Sequence, residues 1–172
     1  MKKLVTILLA LMLVLGMFAG ATAEELPRVA FICKGYSDTY CFLVSEIFMK
    51  YYEENYTDLY TVDKFDGEID NNVINNLLET CVADGYDVII VQQNDPDSPV
   101  AIIKDAVEQG VNVIITVGSV NDDGESYYLD ADPVQQGSLL VDYAVEQGFV
   151  VEGTNCAVLR GIDGTFHADG RY

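Results

Sequence analysis

The stretch Arg28–Tyr52, RVAFICKGYSDTYCFLVSEIFMKYY, decides the fold. Val29, Phe31 and Cys33 alternate with Ala30 and Ile32, so the opening run has no polar face. A strand that is apolar on both faces is covered on both sides, as in a parallel sheet. The loop Lys34–Thr39 follows, with charged, hydroxyl and aromatic groups around Gly35. Phe42, Ile47, Phe48 and Tyr51 then recur at helical spacing. A buried strand that feeds a helix through a polar loop is a common place for an α/β protein to hold a small molecule.

The same unit repeats downstream. Leu59–Phe65 reads as a second strand, broken by Asp66, Gly67 and Asp70. Asp70 is expected to cap a helix whose Val73, Ile74, Leu77, Leu78, Cys81 and Val82 share one face, with Gly85 ending it. Asp87–Val91 is a third strand, followed by the polar loop Gln92–Asp97. Ser98-Pro99 is expected to open the next helix as cap plus first-turn proline. Ala101, Ile102, Ala106 and Val107 face inward, and Gly110 closes that helix. Val111–Val117 is the fourth strand and Gly118–Glu125 its loop. Tyr127–Asp130 is a short strand, and Asp132-Pro133 starts a helix to Gln147 that is expected to bury Leu139, Leu140, Tyr143 and Ala144. Cys156–Leu159 is a sixth strand, before the glycine-punctuated GIDGTFHADGRY.

Alternating strands and helices with short connections define an α/β class: a three-layer αβα, Rossmann-like parallel sheet. Right-handed crossovers put every strand C-terminus on one edge. The loops Lys34–Thr39, Gln92–Asp97 and Gly118–Glu125 gather there, where ligands of open α/β sheets bind.

Charge narrows the partners. Among 172 residues, 28 are acidic and 9 basic, a formal net charge of −19. That balance repels nucleic acid and an anionic membrane surface. Lys2 and Lys3 precede an apolar run from Leu4, and Ala21-Thr22-Ala23 offers small residues for cleavage, the three parts of a secretory signal. Cleavage after about Ala23 is expected in preference to an uncleaved anchor, because the run is short for a span. The mature chain is then secreted, with no membrane insertion. Cys33, Cys41, Cys81 and Cys156 sit at irregular spacings in apolar segments and read as buried free thiols rather than a disulfide framework. No CxxC or HExxH is present and His167 stands alone, so neither a metal nor another cofactor is expected.

RVAFICKGYSDTY, DVIIVQQNDPDS, VNVIITVGS, YLDADPVQQGSLLVDY and AVLRGIDGTFHADGR, taken in this order behind a signal segment, resemble the ribose/galactose-type periplasmic binding proteins. The most specific pieces are D-x-D-P-x-x-x-G at Asp130–Gly137 and G-x-x-G-x-x-x-x-x-x-R from Gly161 to Arg171. The resemblance implies a type I periplasmic-binding-protein fold, in which two α/β lobes close on a sugar. It places residues 24–131 in the N-terminal lobe and residues 132–172 at the start of an incomplete second one. The implied protein is a receptor component of an ABC importer or sensory system, with a sugar as ligand and a membrane permease or sensor as partner.

Site residues carry over singly. The first loop of such proteins offers a polar group and stacking aromatics, places that Asp38 and Tyr40 occupy here with Tyr36 nearby. A carboxylate grips sugar hydroxyls while a ring face covers C–H groups. The loop after the third strand offers Gln93 and Asp95, as contacts or as turn formers. Ribose-type relatives carry an Asp-Arg pair after the fourth strand. Gly118 and Ser119 stand there instead, which counts against a pentose. Asp132 is a helix cap first and a hinge or ligand residue second. Asp169 replaces a family arginine, and Arg171 matches one.

Three readings follow for function. The first is a solute receptor that performs no chemistry. The second is a fragment or self-associating unit without a ligand. The third is an extracytoplasmic hydrolase using a carboxylate pair such as Asp38 and Asp95. No nucleophile elbow or phosphate-cradling loop supports the third.

Overall fold

A computed structural model describes residues 25–157. The leader at residues 1–23, the end of the sixth strand, and Asp169 and Arg171 lie outside the described residues. Five strands form one parallel sheet: β1 (Arg28–Cys33), β2 (Thr61–Asp66), β3 (Val88–Gln92), β4 (Asn112–Thr116) and β5 (Tyr127–Tyr128). Their order is β2-β1-β3-β4-β5, so β1 is flanked by β2 on one side and β3 on the other. The helices are α1 (Thr39–Asn55), α2 (Asn71–Ala83), α3 (Val100–Glu108) and α4 (Pro133–Glu146). Among the described residues no helix is long and apolar enough to cross a membrane.

The two faces of the sheet are covered differently. Ile74, Leu78 and Cys81 of α2, with Ile103 and Ala106 of α3, pack on Ala30, Ile32, Ile89, Val91, Val113 and Ile115. On the other face α1 is the cover, and Cys41, Val44 and Phe48 meet Phe31, Cys33, Val62 and Ile90. Alternation along β1 explains the split: residues 30 and 32 face α2 and α3, and residues 31 and 33 face α1. At the N-terminal edge Arg28 stacks on Tyr86, 4.1 Å from the ring centroid, and donates to the Asp84 carbonyl. Tyr86 donates to Asp63 at 2.7 Å. Burial, with that carboxylate as acceptor, pushes the Tyr86 phenol up to about 12. This edge is a closed structural network.

The expected caps form at Asp70, which accepts from the amides of Asn72 and Val73, and at Asp132, which accepts from Val134 and Gln135. Four expectations are corrected. Ser98 is not a cap: α3 starts at Val100, Pro99 stands at the cap position with no side-chain bond, and the Ser98 amide is turned to Asp95. Within α3 Ala106 is buried and Ile102 and Val107 pack on the core as expected, but Ala101 is exposed and Ile103 is the other fully buried residue. The second strand begins at Thr61, and Leu59 is left on the surface. Leu139, Leu140 and Tyr143 of α4 are exposed, Leu140 by 70%, and Pro133 is the helix's buried residue. Amphipathic spacing buries a face only where another layer stands opposite, and among the described residues none does.

The cysteines are free. Cys33, Cys41 and Cys81 are buried as expected, whereas Cys156, expected to be buried at the start of a sixth strand, is exposed and lies in no strand. Tyr52, Tyr56 and Tyr60 cluster at the foot of α1, with Tyr56 and Tyr60 stacked 6.0 Å apart. Tyr51 is exposed and touches Tyr56 edge-on.

Candidate functional site

The C-terminal sheet edge is stitched together by backbone and amide contacts. Gln92, the last residue of β3, is 0% exposed. Its Oε1 accepts from the Lys34 amide at 3.0 Å and its Nε2 donates to the Cys41 carbonyl at 3.1 Å. One side chain therefore ties the β1–α1 loop and the start of α1 to the neighbouring strand. The loop after β2 joins the same group: the Gly67 amide donates to Cys33 O and the Ile69 amide to Lys34 O, both at 2.8 Å. Beyond β3, Asn121 Nδ2 donates to Asp97 at 2.8 Å and the Asn121 amide donates to Pro96 O. Gln92 was missed in the sequence, where it looks like one of two adjacent glutamines. The signal available was a polar residue ending an otherwise apolar strand.

Aspartates at this edge act mainly on backbone donors. Asp38 accepts from the Tyr40 and Cys41 amides at 3.1 Å as the cap of α1, and its other oxygen lies 4.0 Å from Lys34 Nζ. Asp66 accepts from Tyr36 and Glu68, Asp95 from Asp97 and Ser98, and Asp130 from Gly118 and Ala131. The bonds from Ser98 and Asp97 hold the Asp95 carboxyl below its ordinary range. A carboxylate engaged on one oxygen keeps lone pairs for a second donor.

Aromatic and amide groups complete the edge. Tyr40 is 59% exposed on the first turn of α1. Tyr36 stands nearer the sheet, edge-on to Phe42 at 5.5 Å, and burial with the Asp66 charge pushes its phenol up. Ser119 is half-buried after β4, in a groove of about 330 Å³ shared with Val120, Asp122, Ser126 and Tyr128. Gln93 is 4% exposed, and neither atom of its amide has a hydrogen-bond partner among the described residues. It lies just under the surface of the edge rather than on the rim. Gly118, at φ 145°, packs so closely that a Cβ would strike the Gln93 carbonyl oxygen. Val117 beside it is held at φ 52°, a costly conformation for a β-branched residue. Thus Tyr36, Asp38, Tyr40, Gln93, Asp95 and Ser119 all fall on one edge. Asp132 is at the start of α4.

The chain order reverses between β1 and β3, and the polar loops crown that reversal. In open, doubly wound sheets of the Rossmann-like class, such an edge is where ligands bind. This chain belongs to the periplasmic binding protein domain family, whose profile matches residues 29–172. It is a family of solute-binding proteins, not of enzymes. Among solved structures it is similar to an ABC-transporter solute-binding protein from Burkholderia multivorans, at 19% identity and TM-score 0.71 over 86% of this chain and 54% of that one. A periplasmic solute-binding protein from Actinobacillus succinogenes with bound D-allose matches at 22% identity and TM-score 0.71, over 84% and 52%. A periplasmic ribose ABC transporter protein from Conexibacter woesei matches at 21% identity and TM-score 0.70, over 88% and 49%. The chain spans about half the length of these proteins.

Proposed function

We propose that this chain is the sugar-recognising part of a secreted solute receptor serving an ABC importer or a sensory system. The observation that carries the reading is the strand-order reversal at β1 and β3, with Tyr36, Asp38 and Tyr40 crowning it. A sugar needs hydroxyl partners and a ring face, and this edge supplies carboxylates, amides and tyrosines within a few residues. The relatives with bound sugars support the ligand class. In this reading residues 24–131 form the N-terminal lobe, 132–172 open the second, and closure of the lobes is what the membrane partner reads. Asp169 and Arg171 would then contribute from the second lobe. The N-terminal segment with Lys2, Lys3 and Ala21–Ala23 would direct export.

Titration calorimetry of the purified full chain with D-glucose, D-galactose, D-allose, L-arabinose and D-ribose tests the reading. Saturable heat from a hexose, with D-ribose weaker, is expected; silence from folded protein across the panel overturns it. A second reading, self-association without a ligand, is favoured by the exposed Leu139, Leu140 and Tyr143 of α4. Sedimentation decides that point, since a monomer at micromolar concentration removes it.

A further inference from the structure

Edge strands usually turn lysine to solvent, which discourages pairing with other chains. In β2 the alternation places Phe65 with the α2 layer and Val62 with the α1 layer. Lys64 follows Val62 and turns under α1, its side chain only 19% exposed. There its Nζ pairs with the Glu46 carboxylate of α1. The same Nζ lies 4.8 Å from the ring centroid of Tyr36 and 4.9 Å from that of Phe42. The two rings meet edge to face at 61°. The Tyr36 amide donates at 3.0 Å to Asp66, two residues beyond Lys64. Tyr36 is thus held by its own backbone, by the edge of Phe42 and by a cation.

We propose that Lys64, pinned by Glu46, is a positioning residue that fixes the Tyr36 ring at the ligand edge and so sets how tightly a sugar is gripped. This rests on the receptor reading above. A partly desolvated ammonium at a ring face is attracted electrostatically to the π-system, and a flexible tyrosine loses affinity through the entropy of ordering it on binding. Removing the cation leaves Glu46, which is half-exposed and rehydrates, so the fold survives the change.

The test uses Lys64→Met, Lys64→Arg, Tyr36→Ala and the Lys64→Met/Tyr36→Ala double variant. Each is titrated with the panel sugar that gives the largest heat, and 13C-tyrosine spectra are recorded without sugar, with Tyr36 assigned by its loss in Tyr36→Ala. The expected result is binding about fivefold weaker in Lys64→Met and within about twofold of the original in Lys64→Arg. The double variant should be no weaker than Tyr36→Ala alone, and the Tyr36 ring signal should move in Lys64→Met but not in Lys64→Arg. Additive losses in the double variant, or an unmoved Tyr36 signal in Lys64→Met, overturn the proposal. If the unaltered chain gives no heat with any sugar, the receptor reading falls, and the ring signal alone decides whether Lys64 positions Tyr36.

Discussion

Replacing Gln92 by Met removes two hydrogen bonds and almost no volume, which isolates the amide's contribution. The Lys34 amide loses its acceptor and the Cys41 carbonyl loses a donor, both in places where water is largely excluded. A stranded buried partner costs about 1–3 kcal/mol, and a carbonyl with a second lone pair falls at the low end. The sum is about 2–4 kcal/mol, or about 4–16 °C in Tm for a chain of this size. Urea unfolding followed by far-ultraviolet circular dichroism measures it. Hydrogen exchange at the Lys34 amide should accelerate in step, because the loop is released from β3. The neighbouring change, Gln93→Met, serves as control. That amide is equally buried but has no partner among the described residues, so an apolar replacement should be neutral or mildly stabilising. A loss below about 0.5 kcal/mol for Gln92→Met, or equal losses at the two positions, would refute the account.

Other outcomes follow from the same structure. Burial pushes the Cys41 thiol up to about 12, with the Asp38 charge adding to it, and the Cys81 thiol up to about 11. The unfolded chain ionises these thiols near pH 9 while the folded one keeps the protons. Their stabilising contribution is therefore full below pH 9 and is lost as pH rises toward 11–12, by about 1.4 kcal/mol per pH unit for each thiol. Urea melts at pH 8 and pH 10.5 measure this, and identical midpoints would contradict it. A thiol reagent should modify Cys156 quickly in the folded chain and all four cysteines only after unfolding; rapid reaction at Cys41 would break the packing described for α1. Gly118→Ala should cost about 2 kcal/mol or more, since it adds backbone strain and drives a Cβ into the Gln93 carbonyl. A thermal midpoint unchanged by that substitution would show that the edge can open locally.

Much of this protein is written locally. Uninterrupted apolar runs at Val29–Cys33 and Val88–Val91 declare strands covered on both faces, as a parallel, helix-flanked sheet covers them. Asp70 and Asp132 declare helix starts because a cap reaches amides only two and three residues ahead. Those features made the αβα class, the common edge of the loops and the family legible without coordinates. The failures came where two local side chains could serve one turn, or where a partner lies far along the chain. Ser98 and Asp95 compete for the same turn, and the backbone geometry after β3 gave it to Asp95. Tyr36, Asp38 and Tyr40 could be placed on the edge, but not the fact that Asp38 spends an oxygen on capping α1.

The sequence by itself determined which segments are strands and helices, where two helices begin, and which end of the sheet carries the polar loops. Each rests on the periodicity of side chains or on a bond between near neighbours. Only the tertiary structure decided that β1 lies between β2 and β3, that Gln92 and not Gln93 fastens the β1 loop, that Lys64 turns inward beneath Tyr36, and that no described residue covers the apolar face of α4. These depend on the direction of the crossovers and on contacts such as Gln92 to Lys34, 58 residues apart in the chain. No local propensity encodes which of two adjacent glutamines will find a distant amide; the alternation of side chains across a strand, once its neighbours are in place, makes that choice.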